Sequence, residues 1–280
     1  MIEQSTLIGL IDPHDYGRDI KVTENRYETK ITIFDIPCAT GKITDKTPKS
    51  LTAEERKAKD EANKRATKTR AMESILQYAG NNQWDYFATI TFDPNKVDRK
   101  DFNQCSKVID DYLISLKKFI AYHKLPKMQY VVVPEKHKDG AFHFHALINN
   151  LPKQRITRAT NKGKELCDKA NRPIFNFDYE YGFTTVVPVG QNYEEQSKVG
   201  SYIAKYITKD LMASIKGAKC YWATRGLKKD NLIAQGMLTP GDKYELQEQL
   251  HEQADFKKSV AIKATNNNKH IYILRKEQKK

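Results

Sequence analysis

Hydrophobic side chains recur at helical spacing between Asp98 and His123. The repeating positions are Phe102, Cys105, Val108, Ile109, Tyr112, Leu116, Phe119 and Ile120. Side chains three and four residues apart lie on one face of a helix. The pattern therefore predicts an amphipathic helix that packs this face against the core.

Short apolar runs on both sides of this helix predict β-strands. The runs are YFATITF from Tyr86 to Phe92, then MQYVVVPEKH, AFHFHALIN and TTVVPVG. The KDG sequence between the second and third runs is a hairpin signal. A further helix is predicted from about Glu194 to Met212, whereas residues 151–175 are polar and basic without periodicity and predict a loop.

The two ends of the chain carry weaker patterns. Residues 1–50 contain one strand-like stretch, RYETKITIF. Thr52 and Glu55 form a capping-box pattern that opens a charged helix to about Ala79. The first half of this helix has only a thin apolar stripe of Ala58, Ala62 and Ala66, so a solvated face is favoured over a DNA-facing one. After Cys220, a short strand or turn, a helix and the strand pair SVAIKA and HIYIL precede a basic tail.

Composition narrows the class of protein. The net charge is +13 and the pI is about 9.3, which favours nucleic acid as a partner. No apolar run approaches the roughly 20 residues that cross a bilayer, and the N-terminus lacks a secretory pattern, so we expect a cytoplasmic protein without a membrane partner. The cysteines, Cys38, Cys105, Cys167 and Cys220, are too widely spaced for a zinc motif or a disulfide framework. Without a GxxxxGK[ST] loop, no nucleotide cofactor is expected.

Two histidines suggest a metal site on the predicted hairpin. His143 and His145 are two residues apart on a strand and therefore share a face, while Phe144 points into the core. A three-residue loop of 138–140, with Gly140 in the left-handed conformation, would place Glu135 opposite His143. Because opposed residues share a face, Glu135, His143 and His145 would converge as ligands. This mixed nitrogen and oxygen set suits Mn²⁺ or Mg²⁺, although Zn²⁺ or Co²⁺ could also bind it.

Other interpretations of this hairpin stay open. An isolated HxH on a strand is more often not a metal site. A two-residue loop would place Lys136 opposite His143 and break the site. His137 is a rival ligand on the face of Glu135, but its position beside the turn favours a capping or surface role.

The segment YIAKYITK offers candidate nucleophiles. On a helix, Val199, Ile203, Ile207 and Leu211 form an apolar stripe, and a neighbouring arc carries two tyrosines and two lysines: Tyr202, Lys205, Tyr206 and Lys209. The tyrosines are one turn apart, about 6 Å along the axis, so either could reach one phosphate. A phenol needs a nearby cation to attack at neutral pH, which the metal or a lysine could supply. The competing interpretation is tyrosines at a core margin beside solvated lysines.

The ordered combination of these motifs resembles the HUH endonucleases, and among them the rolling-circle replication initiators of single-stranded DNA phages and related plasmids. The similar segments are FATITFD at 87–93, HFHALI at 143–148 and YIAKYITK at 202–209, with Glu135 at the third-ligand position. The resemblance covers roughly residues 80–230. It implies an α+β fold with a central antiparallel sheet of about five strands and flanking helices.

The resemblance also implies a reaction and its partners. Tyr202 and Tyr206 would nick and rejoin single-stranded DNA at an origin hairpin, through a 5′-phosphotyrosine that leaves a free 3′-OH. A host helicase and polymerase would then be expected partners. The candidate DNA contacts are Thr89, Thr91, Lys153, Arg155 and Arg158. A relaxase or transposase with the same chemistry, or a non-catalytic DNA-binding protein, remains the alternative.

This interpretation divides the chain into four segments. Residues 1–50 are an N-terminal extension of unknown role, and 51–80 are a basic helix leading into the catalytic domain. Residues 81–230 are the predicted HUH endonuclease domain, and 231–280 hold the C-terminal helix, hairpin and basic tail.

Overall fold

A computed structural model describes residues 17–39, 52–206, 220–262 and 266–276. The chain divides into two compact units. One consists of residues 51–228, and the other is formed by both chain ends, 1–50 and 229–280. The predicted segments 1–50 and 231–280 are not separate, because strands from both chain ends pair in one sheet.

The unit formed by the chain ends contains a five-stranded sheet and one helix among the described residues. Its elements are β1 (Gly17–Glu24), β2 (Glu28–Ala39), β12 (Asn231–Gly236), α4 (Pro240–Gln253), β13 (Phe256–Ile262) and β14 (Asn267–Arg275). The strands are ordered β12-β1-β2-β14-β13, and all neighbours are antiparallel. The predicted C-terminal helix and strand pair are confirmed, whereas β1 had no recognised signal.

The unit of residues 51–228 contains a larger sheet and three helices among the described residues. Its elements are α1 (Ala53–Asn81), β3 (Tyr86–Phe92), α2 (Phe102–Tyr122), β4 (Gln129–Lys136), β5 (Phe142–Asn149), a 3₁₀ turn (Lys153–Arg155), β6 (Ile156–Arg158), β7 (Thr160–Asn161), β8 (Lys164–Glu165), β9 (Phe175–Phe177), β10 (Gly182–Pro188), α3 (Tyr193–Ala204) and β11 (Trp222–Ala223). The sheet order is β11-β4-β5-β3-β10-β9-β6, with antiparallel neighbours throughout. The α+β fold is that expected, and it is compatible with the HUH nuclease fold.

The expected antiparallel sheet is confirmed, and it has seven strands in the described part of the chain where about five were expected. One expectation about the segment beside this sheet needs correction. The predicted loop of 151–175 contains a 3₁₀ turn and the short strands β6, β7 and β8, and the next strand begins at Phe175. Strands of two or three residues are too short to show periodicity, so the sequence pattern could not reveal them. Ile156 and Phe175 pack against the core and hold this segment to the sheet edge.

The two faces of the large sheet are covered by different helices. On one face, α2 packs its apolar stripe against residues such as Ile90, Phe144 and Ala146, as its periodicity predicted. On the other face, Ile75 of α1 and Ile203 of α3 pack against neighbouring strands. Strand alternation therefore separates a mainly apolar face from a face that apolar and polar residues share.

The helix α1 begins as its sequence predicts. Thr52 accepts a hydrogen bond from the backbone N–H of Glu55, and the Glu55 carboxylate accepts one from Thr52. Residues 53–66 are exposed, and burial begins only near Ala71, Ile75 and Ala79. The first half of α1 is therefore not part of the core, and the choice between a solvated and a DNA-facing surface stays a prediction. None of the helices in the described ranges is both long and apolar enough to cross a membrane.

Substitution of Phe144 tests whether the sheet face that contacts α2 is a packed core. Its side chain is fully buried and contacts Phe92, Phe102 and Trp222 on the α2 face. We expect Phe144→Ala to lower the free energy of unfolding by about 3–5 kcal/mol, because it leaves a cavity in a packed core. Urea denaturation measures this change. Tyr122→Ala, at a position that is 83% exposed, is the control and should change the free energy by less than about 0.5 kcal/mol. Equal effects of the two substitutions on the free energy of unfolding would contradict the placement of Phe144 in this core.

Candidate active site

The β4–β5 hairpin has the register that the three-residue loop predicted. Glu135 lies opposite His143, and Val133 lies opposite His145. The turn closes through hydrogen bonds from the backbone N–H of His137 to the Ala141 carbonyl, at 2.9 Å, and from Gly140 to the His137 carbonyl, also at 2.9 Å. Gly140 has a φ of 88°, which a glycine adopts without strain. The alternative two-residue loop is excluded.

Two threonines of β3 orient the histidines of β5. Thr89 pairs with His145 and Thr91 with His143 across the strands. The Thr89 hydroxyl lies 3.2 Å from Nδ1 of His145, and the Thr91 hydroxyl lies 3.1 Å from Nδ1 of His143. Because a hydroxyl both donates and accepts, it can hold either imidazole tautomer. The Nε2 atoms of both rings therefore stay available for another partner.

Glu135 joins the histidines into one polar cluster. Its carboxylate accepts a hydrogen bond from Nε2 of His145 at 2.8 Å and lies 3.2 Å from Nε2 of His137. The rings of His137 and His143 stack at 3.8 Å. His137, for which a surface or capping role was favoured, is thus in contact with both Glu135 and His143.

Burial affects the charge of the two strand histidines. It lowers the pKa of His145 because the imidazolium loses solvation, and the Glu135 hydrogen bond opposes this effect only in part. Burial also lowers the pKa of His143, and the neighbouring His137 adds to the effect. Both rings are therefore neutral at neutral pH, which is the state that can donate a lone pair to a metal ion.

The residues of this cluster match a divalent cation in donor type. Two imidazole nitrogens and a carboxylate form a mixed set, and the threonines occupy Nδ1, which leaves Nε2 as the ring atom that would face a cation. In the described part of the chain, however, no group of three His, Cys, Asp or Glu side chains already has the arrangement of a metal centre. Glu135 and His145 bond directly to each other instead.

The helix α3 lies on the same face of the sheet as this cluster. Ile203 is fully buried in the cluster of apolar side chains that also contains Val133 and Leu147. Gln196, which is 1% exposed, fixes the start of the helix. Its side-chain carbonyl accepts a hydrogen bond from the backbone N–H of Trp84, and its amide donates to the carbonyls of Trp84 and Gly190. This bonding fixes α3 relative to the segment that leads into β3.

Tyr206 stacks against the histidine cluster, and Tyr202 contacts Tyr206. The Tyr206 ring lies face to face with the His145 ring at 3.7 Å. Tyr202 contacts Tyr206 edge to face at 5.2 Å and Phe87 at 5.3 Å. Phe87 in turn stacks on His145 at 5.7 Å. The phenols therefore lie next to the polar cluster, as the predicted geometry requires.

The two phenols differ in environment. Tyr202 is 47% exposed, whereas Tyr206 is partly buried. Burial raises the pKa of Tyr206, and its hydrogen bond with Tyr202 adds to this effect. Tyr206 also lies beyond Ala204, the last residue of α3, so only Tyr202 is within the regular helix. The prediction of one continuous helix through both tyrosines is therefore wrong in the described region.

Of the two lysines in YIAKYITK, only Lys205 lies within the described residues. Lys205 is the exposed residue that follows α3, adjacent to Tyr206. Lys209, Ile207 and Leu211 lie outside the described residues, so their predicted positions stay predictions.

The candidate DNA contacts lie in different surroundings. Thr89 and Thr91 lie against the histidines. Arg155 packs its guanidinium over Phe119 of α2, on the opposite face. Arg158 donates to Glu165 and to two backbone carbonyls. Lys153 is exposed. The two arginines thus have partners within the protein, and contact of any of these basic residues with DNA stays a prediction.

Several positioning residues were missed from the sequence. The orienting role of Thr89 and Thr91 needed the β3–β5 register, which crosses 52 or more positions of sequence. Gln196 is one of several polar residues in its helix, and the local sequence does not distinguish it. Gly200 allows α3 to approach α1, since an added Cβ would lie 2.6 Å from Cβ of Ala79. A glycine inside an amphipathic helix was the one available signal for this contact.

One family model matches the part of the chain that contains this site. Residues 85–211 match the model of a family described as Replication-associated protein ORF2. The matched range runs from the start of β3 past α3, and it contains Glu135, both strand histidines and both tyrosines. Neither the curated proteins nor the solved structures give a match. The family match is consistent with a Rep-like protein that has a replication-associated function and interacts with DNA.

Gly200 provides a test of how α3 is positioned. We expect Gly200→Val to lower the free energy of unfolding by about 1–3 kcal/mol, because its side chain would overlap α1. Thermal or urea denaturation measures the change. Ser201→Val introduces the same β-branched residue at the neighbouring exposed position and is the matched control. If both variants lose the same stability, the loss reflects helix propensity alone. The close approach of Gly200 to α1 then does not restrict the residue at this position.

Proposed function

We propose that the protein is a replication initiator that nicks and rejoins single-stranded DNA at an origin through a phosphotyrosine intermediate. The observation that carries this proposal is the contact of Tyr206 with His145, and of Tyr202 with Tyr206. It joins two potential nucleophiles to a cluster of potential metal ligands. The match to a replication-associated family over the same residues supports a role in DNA replication.

Glu135, His143 and His145 would hold a divalent cation, Mn²⁺ or Mg²⁺. When bound, the cation polarises a non-bridging oxygen of the scissile phosphate. Thr89 and Thr91 keep the imidazoles oriented, so that their Nε2 atoms face the ligand position. Zn²⁺ and Co²⁺ are compatible with the same donors.

Tyr202 is the first nucleophile in this proposal. Its ring is exposed enough to meet a phosphate, whereas Tyr206 is covered by His145 and has a raised pKa. The phenol oxygen attacks phosphorus, the bond from phosphorus to the 3′ oxygen breaks, and the phenol proton is transferred to that oxygen. The products are a 5′-phosphotyrosine and a free 3′-OH, and the bond energy is conserved for rejoining.

Tyr206 and Lys205 have supporting roles. Tyr206 hydrogen-bonds to Tyr202 and can take over as the second nucleophile after the rings move apart. The Lys205 ammonium stabilises negative charge on the phosphate. Lys209 would do the same from the next turn. Duplex opening and synthesis from the 3′-OH would be the work of a host helicase and polymerase.

Covalent capture of DNA tests the reaction. Wild-type protein incubated with Mn²⁺ and a labelled random-sequence single-stranded DNA pool should give an adduct that survives denaturing electrophoresis. The adduct should disappear with EDTA and in the Tyr202→Phe and Tyr206→Phe double variant, because both hydroxyls are then absent. Tyr122→Phe is the matched control and should retain the adduct. An adduct that persists in the double variant would refute the nucleophile assignment, and binding without any adduct would favour the non-catalytic alternative.

A second experiment tests how the ligands are oriented. Replacing Thr89 and Thr91 together by valine removes both hydroxyls while preserving shape and strand propensity. We expect Mn²⁺ affinity to fall about 10-fold to 100-fold, because the imidazoles lose their outer partners. Isothermal titration measures the affinity. Thr185→Val, at the exposed position paired with Thr89, is the control and should leave the affinity unchanged. Equal affinity in all three proteins would exclude an orienting role.

A further inference from the structure

The sheet of the unit formed by the chain ends has two different faces. On one face, α4 contributes Leu246 and Leu250 to a core with Ile31 and Ile33 of β2. Successive strand residues point to opposite faces. Lys30, Thr32 and Phe34 therefore lie on the face away from this core, and all three are partly exposed.

Strand register extends this second face across the sheet in three rows. In the first row, Lys21 pairs with Thr32, Thr32 with Ile271, and Ile271 with Lys258. The second row joins Thr23, Lys30, Ile273 and Phe256, and the third joins Phe34, Lys269 and Val260. We call these eleven side chains the lysine face: Lys21, Thr23, Lys30, Thr32, Phe34, Phe256, Lys258, Val260, Lys269, Ile271 and Ile273.

The lysine face carries positive charge without acidic neighbours in its rows. Its three rows contain four lysines and no carboxylate, and the adjoining row pairs Glu28 with Arg275. Lys30, Lys258 and Lys269 form no ion pair with any of the described residues. On the α4 side, by contrast, Lys243 lies 3.5 Å from the Asp19 carboxylate. The positive charges of Lys30, Lys258 and Lys269 are therefore available to a polyanion.

Apolar side chains, two of them aromatic, lie beside these lysines. Phe256 is 49% exposed, and Phe34, Ile271 and Ile273 are partly exposed. An aromatic ring offers a surface on which an unpaired base stacks, while neighbouring ammonium groups contact the phosphates. A duplex hides the faces of its bases, so this combination favours a single strand.

We propose that the lysine face is a second binding surface for single-stranded DNA, separate from the tyrosines and the histidine cluster. Lysines neutralise successive phosphates, and Phe256 and Phe34 stack with bases. Recognition through charge and stacking does not depend on base sequence. This surface binds DNA without taking part in the cleavage reaction.

Fluorescence anisotropy with a labelled poly-dT oligonucleotide tests this surface. The full-length protein is used in EDTA, so that no covalent step contributes. We expect the triple variant Lys30→Gln, Lys258→Gln and Lys269→Gln to bind about tenfold or more weakly, because three phosphate contacts are lost. The slope of log affinity against log salt should fall in magnitude by about 2, since each contact contributes about 0.7 on a single strand.

A matched charge control separates local contact from net charge. Lys118, Lys124 and Lys127 are exposed at the end of α2 and in the loop that follows. Changing these three to glutamine removes the same charge and should leave the salt slope within error of wild type. If the two triple variants show the same affinity and slope, the proposal is overturned.

Stacking is tested by single substitutions. Phe256→Ala should weaken binding about fivefold or more, because a base loses its aromatic partner. Tyr244→Ala removes an exposed ring from α4, on the opposite side of the same unit, and should have no effect. Equal affinity of these two variants would refute base stacking. Should the lysine triple variant not fold, as judged by circular dichroism, Lys258→Gln alone must still lower the salt slope.

These measurements are independent of the proposed nicking reaction. Failure of that reaction would appear as the absence of a covalent adduct with Mn²⁺ in the wild-type protein. Failure of the lysine face would appear as unchanged non-covalent affinity in EDTA.

Discussion

The register of the β4–β5 hairpin is the constraint on which the candidate site depends. Since side chains alternate across a strand, a shift of one residue would send Glu135 to the opposite face and place Lys136 opposite His143. Gly140, with its positive φ, allows the three-residue loop that fixes the observed pairing. Pairing with β3 then supplies a hydroxyl to Nδ1 of each strand histidine. One turn and two strand pairings therefore determine which side chains meet.

Because side chains alternate, β5 contributes to the α2 core on one face of the sheet and to the histidine cluster on the other. Between the two histidines, Phe144 points into the α2 core and holds β5 in place. The opposite face accommodates Ile203 of α3, and this packing places Tyr202 and Tyr206 beside His145. Gln196 and Gly200 limit how the helix can shift, through hydrogen bonds in one case and close approach in the other. Burial of an apolar stripe thus positions the two tyrosines on its polar edge.

Much of this arrangement was accessible from the sequence, and the exceptions have physical reasons. The helix α2, the hairpin and the opposition of Glu135 and His143 follow from periodicity and turn chemistry, which are local. The partners of Thr89, Thr91 and Gln196 depend on contacts between distant segments, which local patterns do not encode. Strands as short as β6 and β7 give no periodic signal. Strand β1 was also missed, and its pairing with β2 and β12 joins the two chain ends in one sheet.

The central claim is that a divalent cation lies between the facing carboxylate and imidazoles, within reach of a tyrosine hydroxyl. Anomalous X-ray diffraction at the manganese edge, from crystals soaked in Mn²⁺, measures this position directly. The account predicts a single strong peak bounded by Glu135, His143 and His145, on the side facing Tyr202. A peak bound elsewhere, or no peak at these residues at saturating Mn²⁺, would contradict it.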